Sequence, residues 1–411
     1  MEIKQEQLLR ELDTLATFSD VLAPAVTRVV FSPADFKARA YAKELFKAAG
    51  LEVREDAVGN TLARWVGREP NLPAVGTGSH IDAIPNAGRY DGTVGVLGGL
   101  EAIRALARSG IHPRRSIELL LFTSEEPTRF GIGCLGSRLL AKTLDPATAA
   151  QLKDREGKTL EEVRREAGFS GSLADVPLAP GYYSGFIELH IEQGPLLERA
   201  KRTLGVVTAI AAPASLRIFI EGEGGHAGGV LMPDRRDAFL AAAEISLAVE
   251  RLAQSTGAPD TVATVGVCDV FPGAINSIPS RVRLEIDVRD IDLARRDGVL
   301  SALGAVCQEV SARRKVTVRH EVINADAPAQ SSPAIVDALV QSSEALGFSY
   351  LRMVSRAYHD SLFMSRIAPI AMLFIPCRGG VSHRPDEYAA PEDIARGTLV
   401  LAHALLKLAD A

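Results

Sequence analysis

The sequence predicts an α/β protein built on a mixed, largely parallel sheet, with a smaller α+β domain inserted into it. Three observations carry this expectation. Short apolar runs at residues 72–78, 116–122, 186–191 and 369–375 each give way to a polar segment, and a helical pattern joins the first two. Strand, helix, strand at these lengths implies a right-handed crossover between parallel strands. Between residues 212 and 324 the order changes to strand, helix, strand, strand, helix, strand, the split βαβ of a ferredoxin-like sandwich. From about residue 325 the first pattern resumes. The expected division is therefore 1–211 and 325–411 for the main domain and 212–324 for the insertion.

Leu8, Leu12 and Leu15 make a helical stripe at residues 3–18. Ser32 can cap a second helix, Pro33 suits its first turn, and Gly50 can close it. Residues 51–54 and 61–66 read as strands around a Gly59-Asn60 turn. Residues 142–180 are polar, with a helical patch at 160–167. In the insertion, residues 214–221, 261–271, 281–290 and 315–323 are the strands, and 237–252 and 292–313 the helices. Four such strands can pair edge to edge with a second copy, so a homodimer is expected. Residues 333–346 and 391–408 are the closing helices.

Composition narrows the function. Hydrophobic residues make up 47% of the 411, enough for sizeable cores, and the net charge of −5 comes with no basic block to attract nucleic acid. No apolar run reaches the roughly 18 residues of a membrane span, and the charged start lacks a signal-peptide core. Cys134, Cys268, Cys307 and Cys377 are scattered, which favours free buried thiols in a reducing cytoplasm over disulfides or a thiolate metal site.

The chemistry gathers at strand ends, where open α/β sheets bind ligands. His80, Asp82 and Asp91 follow the first apolar run, Glu125 and Glu126 the second; His190 lies in the third, and His383 follows the fourth. Adjacent carboxylates gain nothing from shared burial unless a cation or proton lies between them. The ordinary alternative for Glu125-Glu126 is a solvated turn, for Asp91 a helix cap, and for His190 a hydrogen-bonded core histidine. Together, His80, Asp91, Glu126, His190 and His383 form a nitrogen and oxygen donor set suited to two divalent ions, Mn²⁺ or Zn²⁺. Glu125, beside a ligand, is placed for general base and acid work, and Asp82 to orient the His80 imidazole.

The segments Ser-His-Ile-Asp (79–82), Tyr-Asp-Gly (90–92), Ser-Glu-Glu-Pro-Thr-Arg-Phe-Gly (124–131), Glu-Leu-His-Ile-Glu-Gln-Gly (188–194), Gly-Gly-His-Ala-Gly (224–228), Asn-Ser-Ile-Pro-Ser (276–280) and Gly-Val-Ser-His (380–383) resemble the dinuclear-metal amidohydrolases of the hydantoinase/carbamoylase type. The resemblance runs from about residue 10 to the end. Pro127 after the glutamate pair and the Tyr358-His-Asp-Ser segment look most like the ureidoglycolate-hydrolysing branch. It implies a catalytic domain of the zinc-aminopeptidase/phosphorylase-like type with a lid and dimerisation domain. It also implies a ligand assignment: His80, Asp91 and His190 for one metal, Asp91, Glu126 and His383 for the other, Mn²⁺ before Zn²⁺. Glu125 would be the base, and His226 would stabilise the oxyanion. Asn276 and Arg289 would bind the substrate carboxylate, with Gln193, Tyr358 and His359 lining the pocket. Without the resemblance, a surface ion pair with Asp287 or Asp290 is the simpler role for Arg289, and a turn for Asn276. The implied substrate is a small ureido-carboxylate, (S)-ureidoglycolate ahead of N-carbamoyl-L-amino acids or allantoate. A metallopeptidase is disfavoured, because such peptidases usually carry a carboxylate where His190 stands. Lid residues supplied by the same chain or by the partner subunit, and flexing near 205–213 and 324–328, are further expectations of the resemblance.

Overall fold

The computed structural model describes residues 1–411 as two compact units. The first comprises Met1–Ala209, Gln330–Ser355 and His359–Ala411, and the second Ile210–Ala329 with Arg356–Tyr358.

The first unit is organised by a nine-stranded mixed sheet. Its central order is Leu204–Ile210, Ile370–Ile375, Tyr183–Ile191, Ala74–His80, Ile117–Phe122, Thr61–Trp65 and Glu52–Glu55. The four from Ile370–Ile375 to Ile117–Phe122 are parallel, with His80 opposite Phe122 and Phe374 opposite His190. Ala74–His80 comes first in the chain; the next parallel strand adds on one side and the later two on the other. The order therefore reverses at this strand, which opens a crevice at the carboxyl ends. These strands are buried along almost their whole length, as continuous apolar runs in parallel sheets require.

The helix Thr93–Arg108 follows directly. A Cβ on Gly95 would stand 2.4 Å from the Leu189 carbonyl oxygen and 2.6 Å from the Ser79 Cβ, so this face lies on the sheet backbone with no room for a side chain. The helix Pro33–Ala48 starts as expected, with Ser32 accepting the Asp35 N–H. Several strands escaped the sequence reading, Leu204–Ile210 and the two-residue Gly225–His226, Ser277–Ile278 and Ala329–Gln330 among them. Val26–Arg28 pairs with Ala83–Ala87, in what looked like loop, and Tyr350–Ser355 pairs with Leu204–Ile210. Residues 205–213, where hinging is expected, are strand on both sides of Ala211.

The second unit is a four-stranded antiparallel sheet in the order Val262–Phe271, Arg281–Asp290, Ala212–Glu221, Thr317–Ala325. Alternate residues Leu216, Ile218, Ile220, Leu284 and Ile286 pack against the helices Ala238–Ser255 and Leu293–Arg314. Arg356 and Tyr358 join this unit through side-chain contacts with Asp260 and Asp326. The four cysteines are unpaired; three are buried and Cys268 is exposed, where burial was expected of all. No helix is long and apolar enough to cross a membrane.

Candidate metal centre

His80 ends its strand and His190 lies one residue before the end of its own. Each ring is fixed through Nδ1, His80 against the Asp82 carbonyl oxygen at 3.0 Å and His190 against the Ile191 carbonyl oxygen at 2.9 Å. A ring that donates from Nδ1 keeps its Nε2 lone pair for a metal. Both Nε2 atoms face Asp91 Oδ1, at 3.7 Å from His80 and 3.2 Å from His190. Asp91 Oδ2 faces the other way: His383 Nε2 lies 3.2 Å from it and 3.2 Å from Glu126 Oε1. One carboxylate thus stands between two donor triads, His80–Asp91–His190 and Asp91–Glu126–His383.

The helix after Asp91 has no side-chain cap, so the capping role does not apply to this aspartate. Its N-cap, Gly92, has φ +66°, and a Cβ there would lie 2.5 Å from the His80 ring. Glycine is required at this point by both conformation and space. Ser124, Cys134, Gln193 and His383 also adopt positive φ without being glycine, so uncommon backbone conformations cluster at this edge.

The electrostatics fit a cation. Burial opposes a low pKa for Asp91, but contacts with His190 and His383 hold it well below the carboxylate range. Burial pushes Glu125 well above that range, countered by His80 and reinforced by Glu126 and Asp360. Burial also raises Glu126, against the pull of His383. Hydrogen bonds to Asp91 and Glu126 raise His383 to about 11. Protons supply here the positive charge that paired buried carboxylates demand, and oxygen and imidazole donors without thiolate suit Mn²⁺ or Zn²⁺.

Asp82 meets the His80 ring at Nδ1, with its carbonyl at 3.0 Å and its carboxylate Oδ1 at 3.6 Å, and it has a second task. Its carboxylate accepts the N–H groups of Glu125 at 3.2 Å and Glu126 at 3.0 Å. Glu125 Oε2 lies 3.8 Å from His80 Nε2, and Oε1 accepts the Cys134 thiol at 3.3 Å. Gln193 Nε2 donates to Asp91 Oδ2 at 2.8 Å. His359 packs edge-on to His190, with ring centroids 4.6 Å apart, and burial with His190 nearby holds it well below the usual imidazole range. Of the glutamates flanking His190, Glu188 accepts Ser79 and Ser361 hydroxyls, and Glu192 accepts the Leu196 and Leu197 N–H groups, a structural cap.

The remaining expected residues belong to the second unit. His226 and Asn276 meet there: Gly225–His226 pairs with Ser277–Ile278, and the Ala227 N–H donates to the Asn276 carbonyl. Both are exposed. Arg289 Nε donates to Asp287 at 2.8 Å, the surface partner weighed for it, and Nη1 to the Arg356 carbonyl at 3.0 Å. Tyr358 hydrogen-bonds Asp326.

Sequence reasoning missed Arg28 and Glu387. Arg28 is fully buried and donates to the carbonyl oxygens of Ile81, Leu15 and Phe18 at 2.6, 2.8 and 2.7 Å. No local motif marks it. Glu387 sits four residues past His383 in a charged stretch that reads as surface.

The chain belongs to peptidase family M20/M25/M40, whose model matches residues 76–407. Within it the chain is an amidohydrolase of the hydantoinase/carbamoylase type. It is 53% identical to a ureidoglycolate hydrolase of Arabidopsis thaliana over 98% of this chain and 86% of that one. It is 37% identical to an N-carbamoyl-L-amino acid amidohydrolase of Geobacillus stearothermophilus over 99% of both. The crystal structure of AtUAH in complex with glyoxylate superposes with a TM-score of 0.88 at 51% identity, over 100% of this chain and 98% of that one. A hydantoinase/carbamoylase family amidase from Burkholderia multivorans gives 0.91 at 35%, over 100% and 99%.

Proposed function

We propose that the chain hydrolyses (S)-ureidoglycolate, a step of ureide breakdown, releasing ammonia and carbon dioxide and leaving hydroxyglycine, which decays to glyoxylate. The observation that carries this reading is the Asp91 carboxylate, one oxygen toward His80 and His190 and the other toward His383 and Glu126. Support for the substrate comes from the 53% identity to a ureidoglycolate hydrolase, against 37% to a carbamoyl amino acid hydrolase.

His80, Asp91 and His190 would hold one ion and Asp91, Glu126 and His383 the other, Mn²⁺ in preference to Zn²⁺. When bound, such ions polarise the amide carbonyl and make water a nucleophile near neutral pH. Glu125 takes the proton of the attacking water and returns it to the departing ammonia. Gln193 fixes Asp91 and, with Tyr358 and His359, forms the pocket wall. Arg289 and Asn276 would bind the carboxylate, the substrate taking over the two parallel Arg289 donors that now face Asp287. His226 faces the developing oxyanion, a role typically worth about 3 kcal/mol in the barrier. The second unit would serve as lid and dimerisation domain, with His226 and Arg289 supplied on closure either by the chain's own lid or by that of the partner subunit. The exposed edge strands Val262–Phe271 and Thr317–Ala325 are open to pairing. Four unpaired cysteines agree with work in a reducing cytoplasm.

The test is ammonia release by metal-stripped protein given Mn²⁺ or Zn²⁺, with ureidoglycolate, N-carbamoyl amino acids and allantoate as substrates. Ureidoglycolate is expected to be turned over fastest. Turnover of carbamoyl amino acids alone would overturn the substrate assignment.

A further inference from the structure

Glu387 lies outside both donor triads, yet it is buried and joins the loops that carry their ligands. Its Oε1 accepts two consecutive backbone N–H groups, Tyr90 at 2.7 Å and Asp91 at 3.1 Å. Its Oε2 lies 2.9 Å from the Ser382 hydroxyl, which is 2.7 Å from Asp91 Oδ2 and belongs to the residue before His383. The fit is close: a Cβ on Gly88 would stand 2.3 Å from the Glu387 Cβ and 2.4 Å from its Oε1.

We infer that Glu387 is a positioning residue that locks the Asp91 loop to the Ser382–His383 turn and so sets the affinity of the ion held by Asp91, Glu126 and His383. Two features support selectivity for that ion. His80 and His190 are fixed by backbone carbonyls of residues 82 and 191, independently of Glu387. The turn that carries His383, by contrast, meets Glu387 directly through the Ser382 hydroxyl. Groups that orient ligands in this way typically change metal affinity by about 10–100-fold when removed.

The inference rests on the dinuclear reading above. Its test is calorimetric titration of the metal-free full chain with Mn²⁺, comparing the unaltered protein with His383→Ala, Glu387→Ala, Glu387→Gln and Gly88→Ala. Two binding events are expected in the unaltered protein. In Glu387→Ala one event, the one that His383→Ala abolishes, should weaken about 10–100-fold and the other change less than about threefold. Glutamine keeps the carbonyl oxygen for both N–H groups and can donate to Ser382, so Glu387→Gln should retain most of the affinity. Gly88→Ala, by displacing Glu387, should behave like Glu387→Ala. Equal loss of both events, or no loss, in Glu387→Ala overturns the inference, as does a glutamine variant no better than alanine. Fewer than two events in the unaltered protein would overturn the dinuclear reading itself.

Discussion

The Asp82 carboxylate accepts the backbone N–H of Glu126 at 3.0 Å, while its second oxygen takes that of Glu125 at 3.2 Å. The acid two residues past His80 therefore fastens the loop after one strand to the loop after its parallel neighbour. Asp82→Asn replaces one acceptor by an NH₂ group facing an N–H donor. Loss of a buried hydrogen bond typically costs about 1–3 kcal/mol. Metal affinity is expected to fall by about 10–100-fold, because Glu126 is released as well. Metal content after dialysis and thermal unfolding of the same sample would check both effects.

Glu125→Gln removes the proton acceptor while keeping the shape of the side chain. Turnover should fall by about 10²–10⁴-fold, the usual contribution of a general acid–base group. Bound metal should remain at two ions per chain, read by atomic emission. Unchanged kcat would take Glu125 out of the mechanism.

His383→Ala should reduce metal stoichiometry from two ions to one. The residue is partly exposed, so folding should survive its loss. His190→Ala, by contrast, opens a cavity beneath a fully buried ring and should reduce stability as well as metal content. Circular dichroism melts alongside metal analysis separate the two cases.

Gly92→Ala forces a side chain into a positive-φ position and against the His80 ring. The conformational strain alone is about 1–2 kcal/mol, and the ring must also move. Activity should be nearly lost, with reduced metal content and a lower Tm.

In the second unit, Arg314 and Arg313 hold the Glu244 carboxyl at about 2, below its value in an unfolded chain. A depressed carboxylate pKa stabilises the fold above the unfolded value, and that stability is lost as the pH falls toward 2. For so accessible a pair the contribution is about 1 kcal/mol. Glu244→Gln should lower stability at pH 7 by that amount, with the difference from the unaltered protein shrinking below pH 4 in urea titrations.

The sequence revealed most of the fold because its signals were strong and local. The apolar runs ending at His80, Phe122 and Ile375 have the length and continuity that parallel strands need, and the ligands follow them at once. The strands Val26–Arg28 and Ala83–Ala87 were illegible for the converse reason: short and partly polar, they are defined by their pairing. The donor set was visible, but its supports were not. That the Asp82 carboxylate also receives the N–H groups of Glu125 and Glu126 depends on a stretch of chain 43 and 44 residues away. Arg289 looks the same in sequence whether it reaches a substrate or Asp287.

Arg28 ties the chemistry to a part of the chain far from it. Two of its three carbonyl partners, Leu15 and Phe18, lie at the end of the first helix, and the third is Ile81, the residue between His80 and Asp82. Removing that helix by proteolysis, or straining it with a fused tag, would strand a guanidinium in the interior beside the catalytic loop. Damage to the first eighteen residues should therefore be felt as lost activity before the rest of the molecule unravels.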